Sequence, residues 1–87
     1  MESTTTAEFW QLYRSLPESV RQIARDNYRL WRNDPRHPSL HFKRLRTSSP
    51  LYSVRVGLHC RALGLVENIV ITWFWIGSHA EYDRLVS

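Results

Sequence analysis

Ile69-Val70-Ile71-Thr72-Trp73-Phe74-Trp75-Ile76 is β-branched or aromatic at every position. Apolar residues fall on odd and even places alike, so a strand of this kind belongs inside a sheet with cover on both faces. On that reading Trp73 and Trp75 are both substantially buried. The run is too short to cross a membrane as a helix, and turn-forming residues bound it. Gly77-Ser78 ends the strand, and His79-Ala80-Glu81-Tyr82 lies at its exit. A strand end is a rigid place from which to present a histidine and a tyrosine.

Ser78 and Glu81 have capping-box spacing, which starts a short final helix with His79 in its first turn. A neutral imidazole there can accept a proton, as a general base must. Tyr82, one turn on, is either a platform for a nucleobase or an edge of the core.

Upstream, Leu51-Tyr52-Ser53-Val54-Arg55-Val56 alternates cleanly, Gly57-Leu58-His59 turns the chain, and Cys60-Arg61-Ala62-Leu63-Gly64-Leu65-Val66 returns it. If Arg55 faces Arg61 across this hairpin, both emerge on one side with His59 beside them. Val54, Val56, Cys60, Ala62 and Gly64 then turn to the other side, where helices can pack. A register shifted by one would mix charge into the apolar side. Two arginines side by side repel each other, so an anion is expected between them unless Glu67 or Glu81 supplies the counter-charge.

The chain opens with helical signals. Thr5 and Glu8 fit a capping box ahead of Phe9, Leu12, Tyr13 and Leu16, which recur at helical spacing. Ser15-Leu16-Pro17-Glu18 starts a second helix, running to about Asn33 with Val20, Ile23, Ala24, Asn27 and Trp31 along one stripe. Arg21, Arg25, Arg29 and Arg32 line another face, with Glu18 and Asp26 spaced to pair with them. Asp34-Pro35-Arg36-His37-Pro38-Ser39 cannot continue a helix. From Leu40 the period becomes two, so Leu40–Leu45 reads as a strand. Residues 2–6, Glu-Ser-Thr-Thr-Thr, are short and polar and carry no strand signal.

At 87 residues the chain makes one domain with a modest core. One cysteine, Cys60, allows no internal disulfide, and four scattered histidines show no metal-ligand spacing. No cofactor is expected, and the N-terminus has no basic or apolar signal region, so a cytoplasmic setting is the expectation. The net charge of +4 is unevenly spread. Between Asp34 and Glu67 there is no acid, yet Arg36, Lys43, Arg44, Arg46, Arg55 and Arg61 fall there with His37, His41 and His59. Such asymmetry favours a polyanionic partner.

Leu16-Pro17-Glu18-Ser19-Val20, Leu40-His41-Phe42-Lys43-Arg44-Leu45, Tyr52-Ser53-Val54-Arg55-Val56-Gly57, Arg61-Ala62-Leu63 and Ile76-Gly77-Ser78-His79-Ala80-Glu81-Tyr82 together resemble the RelE/ParE toxin superfamily. The likeness spans Phe9 to Val86. It implies an α+β fold over residues 1–87, with two N-terminal helices on an antiparallel sheet and a short C-terminal helix. It implies a toxin silenced by a cognate antitoxin and, for the RelE-like branch, a metal-independent endoribonuclease that cleaves mRNA, often on the ribosome. Arg61 matches a phosphate-binding catalytic arginine, Arg55 a basic strand position, His79 a C-terminal acid–base histidine, and Tyr82 lies near a C-terminal aromatic of the site. From the acid-free basic interval, Lys43, Arg44, Arg46 and His59 are the candidates for RNA contact. Ser53 stands where the ribosome-dependent prototype has lysine, and the usual N-terminal strand is not evident. The alternatives are a ParE-like inhibitor of DNA gyrase without chemistry of its own, an inactive toxin relative, or a plain RNA-binding module.

Overall fold

The computed structural model describes residues 1–87. The chain runs β1 (Glu2–Thr5), α1 (Ala7–Arg14), α2 (Glu18–Asn33), a 3-10 turn over Pro38–Leu40, β2 (Lys43–Arg44), β3 (Leu51–Val56), β4 (Cys60–Glu67), β5 (Val70–Ser78) and α3 (His79–Val86). One five-stranded sheet has the order β1-β5-β4-β3-β2. No helix is long and apolar enough to cross a membrane.

The α+β architecture is as expected, but the polar N-terminus is a strand after all. Glu2–Thr5 pairs in parallel with Val70–Trp73, so the sheet is mixed rather than wholly antiparallel. An edge strand needs only backbone partners on one side, and a threonine run satisfies that with polar side chains, which also keep the edge from pairing further. Thr6, one residue later than the capping-box spacing placed it, caps α1 by accepting from the Phe9 amide at 3.1 Å. At the other edge the strand shrinks to Lys43–Arg44. The 3-10 turn and His41, at φ 46°, take up the residues before it.

Helices α1 and α2 cover one face. The core there joins Trp31 and Leu40 to Val54, Val56, Cys60, Ala62, Ile71, Trp73 and Ile76. The glycine at 64 makes room on that face, since a Cβ would lie 2.7 Å from Ile71 and 2.9 Å from Trp73. Neighbouring side chains of β5, not a helix, fill this gap. The arginine row of α2 is largely neutralised at the surface: Arg21 and Arg25 share Glu18 at 2.6 and 2.9 Å, and Arg29 pairs with Asp26. Hydrogen bonds from Arg21 and then Arg25 hold the Glu18 carboxyl below its usual range.

Packing under the helices is incomplete. An open apolar cavity of about 430 Å³ lies between α1, α2 and the sheet, lined among others by Phe9, Tyr13, Ala24, Trp31, Trp73 and Ile76. The indole N–H groups of Trp31 and Trp73 are buried without partners.

Strand β5 departs from simple alternation. Gly64 pairs with Trp73 and Leu63 with Trp75, leaving Phe74 as the extra residue of a bulge. Adjacent residues of β4 face opposite ways, so Trp73 and Trp75 do too. Trp73 enters the core, whereas Trp75 emerges on the far face and stays partly exposed. Both are thus substantially buried, as expected, but on opposite faces and to different degrees.

Helix α3 begins in the capping box read from the sequence. Ser78 Oγ accepts from the Glu81 amide at 3.1 Å, and the Ser78 amide donates back to Glu81 Oε1 at 3.2 Å. Hydrogen bonds from the Ser78 backbone and side chain hold the Glu81 carboxyl below its usual range.

Two outcomes test this packing. Ala24→Leu places methyl groups in the cavity, so it should stabilise by roughly 1 kcal/mol and raise the melting temperature by about 4–8 °C; a lower melting point would show that the space is not free. Glu81→Ala should melt lower than the native chain at neutral pH. Because the folded pKa of Glu81 is depressed, that difference should be full above about pH 5 and shrink as pH falls through the folded value. Scanning calorimetry across pH reads it directly.

Candidate nucleic-acid interface and active site

The face opposite α1 and α2 carries the site, and strand register decides its membership. Arg55 lies opposite Arg61 and Ser53 opposite Leu63, while Val54 and Ala62 turn to the core. The three-residue turn is tight because Gly57 adopts φ 63°, a conformation glycine takes without penalty. The predicted hairpin register is therefore the observed one. Lys43, opposite Ser53, joins this face at its edge. Arg44, opposite Tyr52, alternates to the helix side, and Arg46 lies in the loop beyond β2; both are exposed.

The two arginines differ in their surroundings. Arg55 Nε donates to the Gly57 carbonyl at 2.9 Å, and its Nη1 lies 3.5 Å from His41 Nε2. Arg61 packs its guanidinium 5.3 Å from the centre of the Tyr82 ring. Its Nε and Nη1 are buried and have no hydrogen-bond partner. Neither arginine forms an ion pair with Glu67, Glu81 or any other carboxylate. Buried N–H groups left unpaired cost about 1–3 kcal/mol each, a penalty that a small movement of the side chain toward a bound anion would relieve.

Helix α3 closes the site from the C-terminal side. The His79 amide donates to the His59 carbonyl at 2.8 Å, tying the start of α3 to the β3–β4 turn. His59 serves through its backbone, and its ring is exposed in the turn. The His79 side chain is about half exposed, with Nδ1 3.0 Å from Asp83 Oδ2 one turn along the helix. That contact makes Nδ1 the protonated nitrogen of a neutral ring and leaves Nε2 free to take a proton. Asp83 was not among the expected site residues; its i, i+4 spacing from His79 was the available signal.

Tyr82 is 6 % exposed and its hydroxyl donates to the fully buried Ser53 at 3.2 Å. Of its two readings, the edge of the core is the one realised. A ring held between Ser53, Arg61 and the sheet offers no open face for a base, but it does fix the Arg61 guanidinium. His41 joins the site unannounced. It precedes β2 by two residues, and only the left-handed turn at φ 46° carries its ring to Arg55.

The resulting constellation is two guanidinium groups side by side without carboxylate partners, His79 with its Nε2 free on one flank, His41 against Arg55 on the other, and a lysine at the rim. It can hold a phosphate and move protons to and from oxygens attached to it.

Comparison with known proteins gives one family and one fold. No curated protein matches the sequence. Among solved structures, the chain is similar to RelE in the RelB–RelE antitoxin–toxin complex of Methanococcus jannaschii, at TM-score 0.75 and 14 % identity, covering 97 % of this chain and 99 % of that one. It is also similar to YafQ of E. coli, at TM-score 0.73 and 10 % identity over 93 % and 96 % of the two chains. Isolated E. coli RelE matches at TM-score 0.66 and 14 % identity over 97 % and 94 %. At such identities the likeness is one of fold. The family model for the ParE-like toxin domain matches residues 18–84. With most of its length inside that match, the chain belongs to the ParE-like toxin domain family, in the RelE/ParE toxin superfamily.

Proposed function

We propose that the protein is the toxin of a toxin–antitoxin pair and acts as an endoribonuclease on mRNA, with the translating ribosome as its setting. The observation that carries this reading is the unpaired, buried Nε–H and Nη1–H of Arg61 beside Arg55, on the face that also holds His79. A phosphodiester meets the guanidinium at its accessible Nη2, a small movement of the side chain brings the two buried donors toward the same anion, and the charge that grows on it in the transition state strengthens these bonds. The ribose 2′-oxygen attacks phosphorus while its proton passes to His79 Nε2. The bond to the 5′-oxygen breaks, and that oxygen takes up a proton from solvent. The products are a 2′,3′-cyclic phosphate and a free 5′-hydroxyl. Tyr82 and Ser53 act on Arg61, not on the substrate. The nucleophile lies within the RNA, so the step requires no metal-activated water.

The partner reading rests on charge and edges. A basic face without internal counter-ions suits an acidic segment of an antitoxin, and the short β2 leaves an edge on which a strand can add. RelE of M. jannaschii was solved with RelB. A second reading, a target-binding inhibitor of DNA gyrase, is favoured by the ParE-like character of the matching domain model.

Arg61→Ala and His79→Ala should each slow RNA cleavage by about 10²-fold or more in an assay containing translating ribosomes as well as free RNA. Melting should change little, because removing Arg61 also removes its unpaired N–H groups. A 2′-deoxy residue at the cleavage site should abolish the reaction, and EDTA should not. Protein that cleaves nothing yet blocks gyrase supercoiling would overturn the nuclease reading. Expression of the chain alone should arrest growth, and co-expression with the adjacent small gene should relieve the arrest and give a stable complex. A harmless chain that captures no partner would remove the toxin reading.

A further inference from the structure

The site face has two halves. At the β3–β4 turn lie Arg55, Arg61 and, from α3, His79; away from the turn the same face carries Leu51, Leu63 and Leu65. Trp75, opposite Leu63, stands at the boundary. Two positions on, Gly77 lies opposite Arg61. A Cβ on Gly77 would sit 2.6 Å from Cζ2 and 2.8 Å from Cη2 of Trp75. The far edge of the indole therefore lies over Gly77, directly alongside the cross-strand position of Arg61. The absence of a side chain at 77 is what lets the ring lie there.

Trp75 differs from the other three tryptophans. Trp10 packs edge-on against Phe9 and Tyr13, and Trp31 and Trp73 pack against each other, whereas Trp75 meets no other aromatic ring. It is partly exposed, although the bulge at Phe74 puts it on this face instead of in the core. Tyr82, an aromatic ring on the same side, is buried and unavailable. A flat indole with part of its surface exposed next to paired arginines has the makeup of a single-strand binding surface, in which bases stack on aromatic rings and cations follow the phosphates.

We propose that Trp75 is a nucleobase subsite: the base adjoining the phosphate held at Arg55 and Arg61 stacks on its indole. The proposal rests on the nucleic-acid reading of the site and names where that substrate is gripped. Stacking tolerates any base and is strongest for purines, so a purine is favoured at this position. By fixing the base, the ring also fixes the attached ribose relative to the phosphate, which makes Trp75 a positioning residue.

The test uses the full chain and a short 2′-O-methyl RNA, which lacks the attacking hydroxyl, with versions abasic at each position in turn. Trp75→Ala should weaken binding roughly 10-fold, and Trp75→Phe should restore most of it. One abasic position should weaken the native chain by a similar factor and leave Trp75→Ala unaffected, a coupling that a merely structural tryptophan would not produce. Gly77→Ala, which displaces the ring while keeping the indole, should weaken binding as well. If native protein binds the RNA and Trp75→Ala binds as tightly, or if every abasic effect persists in Trp75→Ala, this subsite does not exist and the nuclease reading stands. If the native chain neither binds nor cleaves RNA, free or on ribosomes, the nucleic-acid reading itself fails and the subsite with it.

Discussion

The pairing of Val56 with Cys60 around a left-handed glycine is the constraint on which this molecule turns. Side chains of a strand alternate, so a hairpin slipped by one residue would exchange the two faces of a strand. As built, Val54, Val56, Cys60 and Ala62 enter the core while Ser53, Arg55, Arg61 and Leu63 share the other side. The apolar core penalises any other register, because it would draw a guanidinium beneath the helices. The juxtaposition of two like charges is thus imposed by hydrophobic burial elsewhere. The repulsion between them is tolerated by the fold and available to a ligand.

Electrostatics separates the two basic surfaces of the protein. On α2 the arginines sit one or two helical turns from Glu18 and Asp26, and three of the four find carboxylates. They form exposed ion pairs, worth little individually and screened by salt. On the sheet neither Arg55 nor Arg61 forms an ion pair, and Arg61 packs against the ring of Tyr82 in place of a counter-ion. Desolvation makes an anion bound there count for more than one bound on α2. Two stretches of similar composition therefore have different chemical prospects.

The same economy of packing shows in the core. A chain this short has a small core, and two helices covering a five-stranded sheet leave a cavity between them. Neither helix buries much apart from Trp31, and Trp10 and Tyr28 remain well exposed at 41 % and 40 %. The tight part of the molecule is the sheet with α3, where Leu63, Ser53 and Tyr82 interlock. Rigidity is thereby concentrated around Arg61 and His79, and looseness lies on the side away from them.

Local patterns decided much of this protein before any folding argument. The alternation of residues 51–56, the glycine at 57 and the small residues of 60–64 determined the hairpin and its face. Ser78 and Glu81 determined the start of α3 and so the place of His79, because capping depends on neighbours only a few residues away. What depended on long-range partners was not legible. Residues 2–5 become a strand because β5 offers an unpaired edge, and their own composition does not announce it. His41 reaches Arg55 through a left-handed turn that no periodicity records. The two tryptophans of β5 look equivalent in sequence, two residues apart in an unbroken apolar run. Only the bulge opposite β4 sends one into the core and the other beside the arginines, since register is a property of two strands together and one strand's sequence does not contain it.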